Sequence, residues 1–233
     1  MKKNILKYLK KTGVRMDGIS LISGGKDSIY AMYIAMQQGI NIKKIVNIIP
    51  EEFSFMYHFP NVHMVDYISR SIGIELLKFR ISDDPNELKK ILSKFNENVI
   101  VSGAIESEYQ KTRLEMISHE LNKIHYSPLW RKNPFQLLYE IINAGFKAII
   151  ISVSAEGLDE NFLGKEIDFE MISKLKKLNE RYGIHPSGEG GEYETLVLDG
   201  PIFNKKIEII NKEIIWNGNY GIFNITEAKL QKK

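Results

Sequence analysis

The chain contains no cysteine. That removes disulfides, thiolate metal sites and thiol nucleophiles together, and it fits a cytoplasmic protein. No apolar run approaches the ~20 residues a membrane-crossing helix needs, so a soluble chain without a membrane partner is expected. The opening MKKNILKYLKK breaks its apolar residues with lysines and offers no h-region for a signal peptide. Charge of one sign is also lacking. Thirty-two basic residues face 29 acidic ones, a net of +3 spread along the chain, so no direct contact with nucleic acid is expected. The five histidines, His58, His63, His119, His125 and His185, show no HExxH or comparable metal spacing. Internal repeats, low-complexity tracts and flexible linkers are absent too.

What remains is 233 residues of ordinary globular composition, 43% hydrophobic and 26% charged. Residues 1–17 read as an N-terminal extension. Ile5, Leu6 and Leu9 form a short apolar stripe suited to a docking helix, and Met16 is an alternative translation start. Strands and helices then alternate. The pattern predicts strands at Ile19–Ile22, Lys43–Ile49, Ile74–Phe79 and Val99–Val101. Helices are expected at Ile29–Gln38, Asn61–Ser71, from Asp84-Pro85-Asn86-Glu87 with a cap, an N1 proline and a capping box, and at Glu108–Leu121. Alternation of this kind implies a parallel sheet covered on both faces, a doubly wound α/β fold.

The second half is less regular. Asn133-Pro134 starts a helix ending near Gly145, Phe146–Val153 is an apolar strand, and Asp168 caps a helix that Gly183 stops. Tyr193–Leu198 and Lys206–Ile215 read as strands, with turns at Asp199-Gly200-Pro201 and Asn217-Gly218. The change of pattern suggests residues 1–130 as a nucleotide-binding domain and 131–233 as a smaller α+β substrate domain.

Ser23-Gly24-Gly25-Lys26-Asp27-Ser28 lies between a strand and a helix. There, glycines let backbone approach a phosphate, N–H groups point inward and the helix dipole favours negative charge. Lys26 adds positive charge, and the Ser23 and Ser28 hydroxyls can donate. It is neither a Walker A loop nor G-x-G-x-x-G. The plainer alternative is a Gly-Gly turn with Asp27 as a cap. Five specified positions, each at a frequency of about 0.05–0.07, would recur by chance in such a chain roughly once in ten thousand cases, which favours the phosphate loop.

A second unusual stretch is His185-Pro186-Ser187-Gly188-Glu189-Gly190-Gly191-Glu192-Tyr193-Glu194-Thr195. Three carboxylates would repel a phosphate, so this loop suits Mg²⁺, ammonium or a quaternary ammonium beside Tyr193; otherwise it is a solvated turn before a hairpin. Tyr109 and Arg113 stand four apart on one helix face, and Arg113 can reach a phosphate or carboxylate or make a surface ion pair. Trp130 is expected in the core, a stacking pair with Arg131 being the alternative.

The first hexapeptide resembles the PP-loop of N-type ATP pyrophosphatases, which cleave ATP between the α- and β-phosphates. The string Gly188 to Thr195 is similar to the signature of diphthine–ammonia ligases. Further segments agree in order: Asn47 with Pro50-Glu51, Tyr57-His58 with Asn61, Ser102-Gly103-Ala104-Ile105, Glu108-Tyr109-Gln110 with Arg113, Pro128-Leu129-Trp130-Arg131 and Leu163-Gly164-Lys165. The resemblance runs from about Ile19 to Ile210; the extension and the lack of extra C-terminal domains depart from it without touching the motifs. It implies a Rossmann-like PP-loop domain and ATP-dependent amidation, with ammonia, of the diphthine carboxylate on elongation factor 2 through an acyl-adenylate. In that picture Ser23, Gly24, Gly25, Lys26, Asp27, Ser28, Asn47, Gly103 and Ala104 bind ATP, and Asp27 ligates Mg²⁺. Glu189, Glu192, Tyr193 and Glu194 are catalytic, and Tyr109, Gln110, Arg113, Gly190, Gly191 and Thr195 contact the substrate. The missing cysteine argues against sulfur transfer and an internal glutaminase, so ammonium enters free or from another protein. A sister ligase acting on a small carboxylate such as a corrinoid precursor, and a non-catalytic adenine-nucleotide binder, are the alternatives. Abundant Ile, Lys and Asn suggest an AT-rich, archaeal genome.

Overall fold

A computed structural model describes residues 16–50, 61–82 and 84–233. The expected docking helix and the Glu51, Tyr57 and His58 positions lie outside the described residues. Strands β1 (Met16–Leu21), β2 (Ile40–Pro50), β3 (Glu75–Ile81), β4 (Val99–Val101) and β5 (Ile124–Tyr126) form one five-stranded sheet in the order β3-β2-β1-β4-β5. Every pairing in it is parallel. The connections run through helices α1 (Lys26–Gln37), α2 (Met64–Ile72), α3 (Pro85–Leu92) and α4 (Glu108–Glu120).

Strand alternation sorts the core onto two faces. Ile19, Val46 and Ile100 pack with Leu88, Ile91 and Leu92 of α3 and with Leu114 and Ile117 of α4. Ile45, Val99 and Val101 point the other way, into a larger cluster with Ile29 and Met32 of α1 and Met64 and Ile68 of α2. Both faces are therefore covered, which is why these strands read as almost continuous apolar runs. The sheet is the doubly wound one the alternation implied.

The rest of the chain gives α5 (Pro134–Asn143), β6 (Lys147–Val153), α6 (Phe169–Tyr182), β7 (Tyr193–Asp199), β8 (Lys205–Trp216) and β9 (Gly221–Lys232). Its four strands make a second sheet, order β7-β6-β9-β8, with antiparallel pairings. Ile150, Val153 and Val197 of this sheet belong to the same cluster as α1 and α2, so the two sheets share a continuous core.

Helix starts follow the sequence closely. Asp84, Asn133 and Asp168 each accept from a backbone N–H two or three residues on, and Pro85 and Pro134 stand at the first helical positions. The capping box at Asp84 needs correcting: the Glu87 carboxylate accepts from the N–H and hydroxyl of Ser82 instead of closing on Asp84. Trp130 also departs from expectation. It is half-buried, with Lys111 and Arg131 over its ring at 5.0 and 5.2 Å, because it sits on a turn where two cations reach it. Among the described residues, no helix is long and apolar enough to cross a membrane.

Candidate functional site

The chain leaves β1 in one direction for β2 and β3, then returns to the other side of β1 for β4 and β5. The crevice beyond the carboxyl ends of β1 and β4 is therefore the topological switch point of the sheet, where such folds bind ligands. A cavity of about 680 Å³ occupies it, large enough for a nucleotide-sized ligand. Leu21, Val46, Ile48, Ile81, Leu88 and Leu114 give it an apolar wall. Ser23, Asp27, Ser28, Gly103, Ala104, Tyr109, Gln110 and Arg113, all expected from sequence, line the rest.

The loop from Ser23 to Ser28 is held by its own hydroxyls. Ser28 Oγ accepts from Ser23 N at 3.2 Å and donates to the Gly25 carbonyl at 3.0 Å, and Ser23 Oγ accepts from Gly25 N at 3.3 Å. Gly24 has φ +96°, a left-handed conformation that favours glycine. Gly103 packs on the start of α1 so closely that a Cβ there would lie 2.7 Å from Ser28 N. Helix α1 has no side-chain cap, as a terminus suited to an anion requires. On α4, Arg113 Nη1 donates to Tyr109 Oη at 2.7 Å, so the two act as one unit on the cavity wall.

Lys26 behaves differently from the sequence reading. Its side chain is 2% exposed and does not line the cavity, donating to Asp27 Oδ2 at 2.8 Å and to the Ser187 carbonyl at 2.6 Å. Its ammonium stands 5.3 Å from the centre of the Tyr193 ring. The two unusual segments, some 160 residues apart, thus pack directly on each other. Thr195 Oγ1 accepts from Lys26 N at 3.1 Å, and Val197 N donates to the Gly24 carbonyl at 3.0 Å.

These contacts revise the expected acidic loop, because none of residues 189–195 lines the cavity. Tyr193 is buried and donates to the Pro186 carbonyl at 2.7 Å; burial, with Asp27 and Glu192 adding, raises its pKa well above the ordinary value. It is a neutral donor, and the Lys26 ammonium already stands over its ring. Glu189 Oε1 accepts from Glu106 N at 3.2 Å and Ser107 N at 3.1 Å, fixing the start of α4. Glu192 Oε1 accepts from His185 N at 2.7 Å, while its Oε2 is buried without a hydrogen-bond partner. Burial raises the Glu194 pKa. Gly190 leaves space for the Glu192 carboxylate, 2.9 Å from where a Cβ would stand, and the Gly191 carbonyl accepts from Ser154 Oγ at 2.6 Å. Thr195 serves the phosphate loop's backbone. Asn47 likewise does not line the cavity: its amide is turned inward and donates to the Ile22 carbonyl at 2.8 Å.

His185 Nδ1 accepts from Ser187 N and Glu189 N, both at 3.3 Å, so that nitrogen carries no proton. Nε2 therefore holds it, 3.5 Å from Glu106 Oε2. His63 and His119 are exposed. Among the described residues, no group of three or more His, Asp or Glu side chains is gathered as a metal cage. The Asp27 Oδ1 atom, buried and without a hydrogen-bond partner, does fit a cation held by one carboxylate and by ligand phosphates, the usual arrangement for Mg²⁺. The cavity's apolar wall escaped the sequence reading because its residues also satisfy strand and helix periodicity. Leu21, Ile48 and Ile81, at or near the carboxyl ends of their strands, carried the available signal.

Comparison with known proteins gives a consistent family. Sequence models of the diphthamide synthase N-terminal and C-terminal domains match residues 16–123 and 133–231. The mouse protein named diphthine–ammonia ligase is 37% identical over 224 residues, covering 84% of both chains. The bovine protein of that name is 35% identical with the same coverage. The fission yeast protein of that name is 33% identical over 225 residues, which span 86% of this chain and 37% of the longer yeast one. Among solved structures, a predicted subunit of tRNA methyltransferase from Methanocaldococcus jannaschii aligns with TM-score 0.46 at 16% identity. That alignment covers 80% of this chain and 98% of the other.

Proposed function

The chain belongs to the diphthamide synthase family, and from that premise we propose that it amidates the diphthine carboxylate of elongation factor 2, using ATP and ammonium. The observation that carries this reading is the direct packing of the phosphate loop on the acidic loop, beside a nucleotide-sized cavity at the sheet's switch point. We place this reaction in the cytoplasm. We assign residues up to about 130 to ATP and the remainder to the protein substrate.

ATP lies with its base against the apolar wall and its phosphates over Ser23 to Ser28. A carboxylate oxygen of diphthine attacks the α-phosphorus, the bond between the α-phosphorus and the bridging oxygen breaks, and pyrophosphate leaves. Ammonia nitrogen then attacks the acyl carbon of the adenylate, and AMP leaves with the former carboxylate oxygen. Adenylation is needed because hydroxide is a poor leaving group and AMP a good one. Most of the acceleration comes from position and charge. The Tyr109–Arg113 pair orients the incoming carboxylate. Glu192 Oε2, unpartnered but outside the cavity lining, takes the proton that nitrogen must lose, which requires the acyl end of the adenylate to extend from the cavity to the acidic loop. Tyr193 keeps its proton, Glu189 Oε1 is committed to α4, and Glu194 stands on β7 beyond the loop. Asp27 would hold Mg²⁺, which would neutralise phosphate charge; Lys26 keeps Asp27 Oδ2 occupied and so aims Oδ1.

This assignment predicts that Glu192→Gln binds ATP almost as tightly as the parent yet forms no amide. Equal loss of both would sink it.

A further inference from the structure

Behind the cavity's β4 wall lies a polar cluster that the mechanism above does not use. Ser102, just after β4, lines the cavity and is 5% exposed. Its Oγ lies 2.8 Å from His125 Nε2 and 2.8 Å from Ser127 Oγ, and the Ser127 hydroxyl lies 3.1 Å from the same His125 nitrogen. His125 is on β5 and Ser127 follows it, so β5, the outermost strand of the sheet, brings a closed triangle of polar groups to a nearly dry wall.

Proton counting gives the triangle a purpose. It has two hydroxyl protons and one imidazole nitrogen. If Nε2 is bare, Ser102 and Ser127 spend both hydroxyl protons inside the triangle, and Ser102 turns a lone pair to the cavity. If Nε2 carries the proton, it donates to one hydroxyl, the hydroxyls share a second bond, and one O–H is left over, so Ser102 turns either that O–H or a lone pair to the cavity. Either way Ser102 offers a fixed polar contact instead of a freely rotating one. His125 stays neutral while doing so, its pKa lowered to about 4 by burial, with Glu115 opposing and Lys111 adding to the shift.

Position selects the ligand atom. Gly103, the next residue, is packed against the backbone of Ser28 in the phosphate loop. Ser102 is therefore one residue from the contact with the phosphate loop, while the apolar wall that suits the base is built by Leu21, Val46, Ile48, Ile81, Leu88 and Leu114. The sugar lies between them. Resting on the nucleotide reading of this cavity, we propose that Ser102 binds a ribose hydroxyl of the nucleotide, with His125 and Ser127 as the residues that position it. A hydroxyl both donates and accepts, so it suits either arrangement of the triangle.

The test is a cycle between protein and ligand, read by titration calorimetry with ATP, 2′-deoxy-ATP and 3′-deoxy-ATP. One neutral hydrogen bond is worth about 0.5–1.5 kcal/mol, so Ser102→Ala should weaken ATP binding roughly 3- to 10-fold. The parent should lose as much with one of the two deoxy analogues, and Ser102→Ala should then bind that analogue no more weakly than ATP. His125→Leu should mimic Ser102→Ala. His125→Gln, which can place a polar atom near Nε2, should restore discrimination, a rescue that a purely structural histidine would not give. If Ser102→Ala loses the same factor again with both analogues, the ribose contact is refuted. If the parent itself fails to bind ATP, the nucleotide reading of the cavity falls, and this proposal with it.

Discussion

Replacing Lys26 by Met separates two views of the phosphate loop. The sequence suggests a lysine that serves phosphate; the structure spends its ammonium on Asp27 Oδ2, the Ser187 carbonyl and the Tyr193 ring. Methionine keeps most of the volume and removes all three interactions. Breaking a buried ion pair costs about 3–5 kcal/mol, and hydrogen bonds to a charged group about 1.5–3 kcal/mol. Asp27 retains 23% exposure, so water recovers part of its loss. The expected destabilisation of the ligand-free protein is then about 2–4 kcal/mol, a fall in Tm of roughly 5–12 °C for a chain of this size. Urea unfolding and calorimetry both measure it. Adding Asp27→Asn should recover part of the loss, since the stranded carboxylate is what makes the single change costly. A Lys26→Met protein within about 0.5 kcal/mol of the parent, but deficient in ATP binding, would show that the ammonium serves phosphate after all.

Other consequences follow from the same geometry. Gly103→Ala forces a Cβ to within 2.7 Å of Ser28 N, so the phosphate loop must shift; overpacking should cost about 1–3 kcal/mol in stability, and ATP affinity should fall about tenfold by calorimetry. Glu189→Ala frees the start of α4 and should cost about 1 kcal/mol with a few-fold rise in the KM for ATP, Glu189→Gln losing less because its amide oxygen still accepts. His125 has its folded pKa lowered from 6.5 to about 4. Between those values the unfolded chain takes up a proton that the folded one refuses, so stability falls as pH drops from 6.5 to 4, by at most about 3 kcal/mol. In His125→Gln, urea midpoints should lose that part of their acid slope while staying level above pH 6.5.

Local chemistry made much of the fold legible. Val99–Val101 matches its expected span, and the helices begin at Asp84, Asn133 and Asp168, where side chains satisfy N–H groups within three residues. Two strands escaped. β5 is only Ile124–Tyr126, too short for any periodicity to show. β9 alternates Gly221, Phe223 and Ile225 inward, but Thr226 and Glu227 then interrupt the alternation beside the irregular pairing near Asn211. In the site, the phosphate loop was readable because loop and helix terminus adjoin in sequence. The destination of Lys26 was not, since its partners Ser187 and Tyr193 come from a distant loop and nothing near Lys26 encodes their approach. The three glutamates were recognised as unusual but read alike; only the fold shows that one holds α4, one holds His185 and one is half-buried on β7.

The most direct test of the central claim is reconstitution with elongation factor 2 carrying diphthine, ATP, Mg²⁺ and ammonium, following pyrophosphate and the mass of the modified residue together. Pyrophosphate should be released in step with conversion of the carboxyl hydroxyl to an amino group, both requiring ammonium for completion. Pyrophosphate release with an unchanged factor, or no release at all, would contradict that claim.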